Sequence, residues 1–135
     1  MTESKSKELM KRIEQACEGL IYISEIDADI EPFAGSKADR VTSDTALKHA
    51  GKEATAPIEE RAFEEFFKRL TTVKEWHGDA ELEKAKKFQV LYELLKEDLR
   101  QIKVFRVGRI RLDIFVIGLD KYGSVVGVKT QAVET

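Results

Sequence analysis

The sequence predicts an α+β protein, a three-layer α/β/α sandwich around a mainly antiparallel sheet, and two observations carry that expectation. Helical patterning dominates the chain until the C-terminal stretch KVFRVGRIRLDIFVIGLDKYGSVVGVKTQAVET, which reads as paired strands. Helices gathered ahead of hairpins, rather than alternating with strands, indicate α+β. Within that stretch Ile110, Leu112, Ile114 and Val116 alternate with Arg109, Arg111 and Asp113, and then Phe115 and Ile117 make both faces apolar. A strand buried on both sides needs cover on both, hence helices on each face of the sheet.

In chain order, Leu9, Ile13, Ala16, Cys17 and Leu20 recur at helical spacing over residues 6–19, with Glu8 and Arg12 one turn apart on another face and Gly19 placed to end the helix. Leu20-Ile21-Tyr22-Ile23 suits a short buried strand. Residues 35–57 are rich in Ser, Thr, Ala, Gly and Lys, and hold one short helix entered at Thr42 or Ser43 and left at Gly51. A helix over 58–70 carries the stripe Ala62, Phe63, Phe66, Phe67 and Leu70. Asp79 is the expected N-cap of the longest helix, 80–101, whose Ala85, Phe88, Leu91, Tyr92, Leu95 and Leu99 face one way, broadened by Val90 and Leu94. Asp120-Lys121-Tyr122-Gly123 is a hairpin turn with Gly where positive φ is required. Strand patterning continues almost to Glu134-Thr135, so the Thr135 hydroxyl and the chain end are expected beside a rigid sheet. Neither an internal repeat nor a linker divides the chain, and residues 1–135 are read as one domain.

Composition narrows the function classes. With 42% hydrophobic and 36% charged residues, the chain has the balance of a globular protein with a heavily charged surface. A net charge of −2 lacks the basic excess of nucleic-acid binders. Cys17 is the single cysteine, so no internal disulfide can form. No signal peptide and no run of about eighteen apolar residues is found, so a cytoplasmic location is expected.

Few constellations could carry chemistry. Glu25, Asp27, Asp29 and Glu31 occupy every second position with Ile26, Ala28 and Ile30 between them. In an extended segment these carboxylates share one side. They are either solvated acids that deter edge pairing or a ridge that attracts a basic cleft. An EF-hand is excluded because Pro32 stands where the loop needs Gly and Ala38 where it needs Glu. Gly123 to Thr130 has the wrong spacing for a Walker A loop, and no helix follows. His49 and His77 lie in polar contexts and Cys17 on an apolar helix side, so no nucleophile and base are assembled. Trp76, the only tryptophan, is either a lid on the core or an exposed anchor for a partner.

Together the segments GLIYISE, EPF, FEEFFKRLTT with Trp76 just beyond, KFQVLYELLKEDL, VFRVGRIRLDIFVIG and GVKTQAVET resemble the nuclease A inhibitor family. Its members are small bacterial proteins that block a metal-dependent, sugar-nonspecific nuclease. The resemblance spans nearly the whole chain in order, and it implies the α/β/α sandwich. It also implies that Glu25, after Ser24, enters the nuclease active site in place of the scissile phosphate. By the same resemblance Thr135 offers a hydroxyl to the divalent metal, magnesium, held by the nuclease, and Glu75-Trp76 makes a second contact. Family members can carry Asp where this chain has Glu75, and the segment after Glu25 is more acidic here. The implied protein is not an enzyme and has no cofactor or metal of its own. An alternative is an orphan binding module of the same fold that no longer targets a nuclease; a small hydrolase using paired acids is a third class.

Overall fold

The computed structural model describes residues 2–50 and 57–134, with side chains from residue 7 onward. Its order is α1 (Thr2–Cys17), β1 (Ile21–Ile23), β2 (Asp27–Asp29), β3 (Glu31–Lys37), α2 (Ser43–Ala50), β4 (Ile58–Arg61), α3 (Phe63–Thr71), α4 (Asp79–Asp98), β5 (Arg100–Gly108), β6 (Arg111–Leu119) and β7 (Ser124–Val133). Five strands form one antiparallel sheet in the order β3-β7-β6-β5-β4, and β1 and β2 form a separate hairpin. The fold is therefore α+β with antiparallel sheets.

The alternation read from β6 organises the core. Leu112, Ile114 and Val116 join Val104, Val126 and Val128 on one side, against Ile13 of α1, Phe63 and Phe67 of α3, and Phe88, Leu91 and Leu95 of α4. Phe115, Ile117 and Leu119 join Phe33, Phe105 and Val107 on the other, with Val41 and Ala46 at α2. Period-2 alternation thus sends neighbouring residues of one strand into two different clusters. Rings reinforce the first: Phe63 stacks on Tyr92 with centroids 5.2 Å apart, and Tyr22 of β1 stacks on Phe66 of α3 at 5.9 Å.

Local chemistry sets the boundaries. Gly19, at φ +75°, carries the chain out of α1. Gly123, at φ +81°, closes the β6–β7 turn, where the buried Asp120 carboxylate accepts the Tyr122 and Ser124 N–H groups at 2.8 and 2.9 Å. Both edge strands are poor templates for further pairing: β4 is short and charged, and β3 carries Pro32 and a register shift between Ala34 and Lys37. α4 passes almost directly into β5, and Gln101 takes φ +54° where the β5–β6 register shifts. A non-glycine residue in the left-handed region is strained, and a bulge is where such strain is accommodated.

Several expectations are corrected. The segment from Leu20 to Ile23 is not a buried strand of the main sheet: only Leu20 is buried, and Ile23 is 62% exposed in the outlying hairpin. Residues 58–61 form edge strand β4, because the β5 backbone offers them hydrogen-bonding partners, so α3 begins only at Phe63 and Ala62 is its N-cap. The cap of α4 is Gly78, whose N–H donates to Glu81 Oε2 at 3.0 Å; Asp79 is the first helical residue. α4 ends at Asp98, and Val90 is exposed rather than part of its buried face. Ile110 is likewise exposed, in the β5–β6 turn. α2 runs from Ser43 to Ala50, and its expected stop at Gly51 lies outside the described residues. No helix among the described residues is long and apolar enough to cross a membrane.

Candidate functional site

The β1–β2 hairpin is pinned at its base and its tip. At the base, Ile30 N–H donates to Leu20 O at 3.1 Å, and Thr130 Oγ1 on β7 donates to Asp29 O at 2.9 Å. At the tip, Ser24 Oγ donates to Ile26 O at 3.1 Å and accepts the Val133 N–H at 3.1 Å. Glu25 N–H donates to Val133 O at 3.2 Å. Val133 therefore exchanges hydrogen bonds with the turn in both directions, as one strand does with another. The Glu25 side chain is left exposed on that turn.

The end of β7 is held from a second direction. Val133 pairs with Arg111 in the β6 register, and Glu134 N–H donates to Ile110 O at 2.9 Å. The Glu134 carboxylate accepts a hydrogen bond from Arg106 of β5, whose Nη1 also lies 3.7 Å from Glu59 Oε1. Glu59 in turn pairs with Arg61. The Arg61 pKa is raised first by the hydrogen bond that it donates to Glu59 and by the charge of that carboxylate, with Glu134 and Glu65 adding smaller contributions. A cleft of about 360 Å³ opens beside this network, between Tyr22 and Ile23 of the hairpin, Phe66 and Arg69 of α3, and Arg61 and Arg106 of the sheet. Thr135, the remaining expected contact here, lies outside the described residues.

Glu75 and Trp76 sit on a separate loop between α3 and α4. Its shape comes from a tight exchange in which His77 N–H donates to Lys74 O at 2.9 Å and Lys74 N–H donates to His77 Nδ1 at 3.0 Å. Trp76 is 77% exposed, with Lys74 Nζ 5.2 Å from its ring centroid, so it is no lid on the core. Glu75 is exposed beside it. Lys84, in the second turn of α4, has its pKa lowered by desolvation, opposed by the nearby charge of Asp27.

The acidic alternation is only partly the ridge that the spacing suggests. Asp27 and Asp29 on β2 and Glu31 at the start of β3 are exposed, but of the apolar residues between them only Ile30 is buried, and Ile26 is 38% exposed. Burial pushes the Cys17 thiol up to about 12. Among the described residues no group of three or more His, Cys, Asp or Glu side chains is gathered as a metal site.

Sequence reasoning did not single out the contact between Arg106 and Glu134 or the hydrogen bonds that tie Ser24 to Val133 and Ile26. The alternation of Val104, Arg106 and Gly108 within β5 could have flagged Arg106, a cation on the side of the sheet that α1, α3 and α4 cover. A comparison with protein families matches residues 7–135 to the family described as Nuclease A inhibitor-like protein. No curated protein matches the chain.

Proposed function

This chain belongs to the nuclease A inhibitor-like family, and from that premise we propose that it inhibits a metal-dependent, sugar-nonspecific endonuclease by occupying its active site. In this reading it acts by binding one nuclease and not by catalysis. The Glu25 carboxylate stands in for the scissile phosphate, since its charge and planar acceptors suit guanidinium groups arranged to grip phosphate. The Thr135 hydroxyl ligates the magnesium of the nuclease, a hard ion with positions open to oxygen. Trp76, with Glu75, makes a second contact, and a large exposed ring is the type of residue that anchors interfaces.

The observation that carries this reading is the pair of hydrogen bonds between the Ser24–Glu25 turn and Val133. They hold the Glu25 turn against the end of β7 before any partner arrives, which suits a carboxylate offered as a preformed phosphate mimic. Water and substrate compete for such a group, and a turn already hydrogen-bonded to the sheet offers its carboxylate with little ordering cost.

The test is titration of untagged protein into a magnesium-dependent nonspecific nuclease of the matching kind, following DNA cleavage. Stoichiometric loss that excess magnesium does not reverse is expected. Glu25→Ala, and separately removal of Thr135, should each raise the inhibition constant about 30-fold or more while the melting temperature is kept. Variants that inhibit like the parent would overturn the assigned contacts. A parent that leaves cleavage untouched would instead favour an orphan binding module of the same family.

A further inference from the structure

The cationic side chain under the end of β7 has a bearing on how the inhibitor reading works. Arg106 stands on β5, with its side chain 13% exposed, and reaches across the sheet to the Glu134 carboxylate with one guanidinium nitrogen and towards Glu59 with another. Its Nε is buried without a hydrogen-bond partner, and among the described residues Glu134 and Glu59 are its ion-pair partners. A desolvated guanidinium is costly when unpaired, so loss of Glu134 would leave Arg106 with Glu59 alone. Glu134 is also tied through its own N–H to Ile110 O, and the preceding residue, Val133, is tied to Ser24 and Glu25.

We propose that Arg106 is a positioning residue for inhibition: by gripping Glu134 it holds the end of β7 in place, and through the hydrogen bonds of Val133 it sets the orientation of the Glu25 turn. This rests on the inhibitor reading above. Arg106 itself need not touch the nuclease. Its effect passes through Glu134 and Val133 to the Glu25 turn, and a misplacement of about 1 Å in a carboxylate that mimics phosphate is enough to weaken its contact.

The experiment compares the parent protein with Arg106→Gln and Glu134→Gln by amide hydrogen exchange, thermal unfolding and nuclease inhibition. Both variants should exchange the Glu134 and Glu25 amides faster while Leu91 and Ile114 in the core keep their protection. Each should inhibit about tenfold more weakly, the scale expected for loss of a charge-assisted hydrogen bond. In Glu25→Ala protein the same substitutions should have no further effect on inhibition, and the exchanged pair Arg106→Glu with Glu134→Arg should recover part of the loss. Unchanged amide exchange in both variants would overturn the proposal whatever the inhibition shows. An equal loss of inhibition with and without the Glu25 carboxylate would also overturn it, because Arg106 would then act by another route. If the parent protein does not inhibit at all, the inhibitor reading fails on that control, and Arg106 loses its assigned part with it.

Discussion

Cys17 illustrates how burial alone decides the chemistry of a side chain. It is 5% exposed, within the cluster formed by α1, α3, α4 and the sheet, and its thiol pKa rises from 9.0 to about 12 because the thiolate would lose its water. The folded state keeps a proton that the unfolded chain releases near pH 9. Stability from this group is therefore complete below pH 9 and falls as pH rises towards 12. Cys17→Ala lacks that dependence. The unfolding free energies of parent and variant, measured by denaturant titration, should converge above pH 9 at up to about 1.4 kcal/mol per pH unit. The native thiol should also resist alkylation at neutral pH until the protein is unfolded; rapid labelling of the native state would contradict its burial.

At the scale of elements, the approach of β6 to β7 is the least forgiving contact. A Cβ on Gly127 would stand 1.9 Å from the carbonyl oxygen of Val116. That atom belongs to the backbone of the paired strand and cannot swing aside as a side-chain tip would. Gly127→Ala must separate the two strands locally, at a cost of about 3 kcal/mol, the upper end of overpacking effects. Chemical denaturation measures it directly, and a loss below about 1 kcal/mol would mean that the sheet absorbs the methyl group by a small shift. β7 is also the strand to which both the hairpin tip and its base are hydrogen-bonded. Loosening it should reach the Glu25 turn as well as the core.

The whole molecule carries little net charge, yet its charge is unevenly spread. Glu25, Asp27 and Asp29 project from one hairpin, while Arg61, Arg69 and Arg106 line the neighbouring cleft. Exposed charges of one sign speed encounter with an oppositely charged partner, and salt screens them over about 10 Å at 0.1 M. With a nuclease that the protein inhibits, Asp27→Asn combined with Asp29→Asn should slow association about fivefold at low salt and flatten its salt dependence, leaving dissociation nearly unchanged. Stopped-flow or biosensor kinetics across ionic strengths separates the two rates. A change confined to dissociation would make these acids direct contacts and not steering charges.

Much of this was legible without coordinates because it is written in local pattern. The α+β class, the end of α1 at Gly19, the start of α2 at Ser43, the Asp120–Gly123 turn and the two-sided burial of β6 follow from periodicity and turn chemistry within a few residues of each position. The residues chosen for the site, Glu25, Glu75-Trp76 and Thr135, came from segments that resemble a family. Tertiary structure alone decided that 58–61 is a strand, since its pairing partners lie in β5, on the far side of two helices in sequence. It alone decided that Leu20 is the only deeply buried residue of its run, that Trp76 is exposed, and that Glu25 is hydrogen-bonded to Val133. The hydrogen bond from Val133 to Ser24 spans 109 positions. No local pattern encodes a pairing of that separation: a sequence specifies which faces must be buried, but the choice of backbone partner is made when the faces meet.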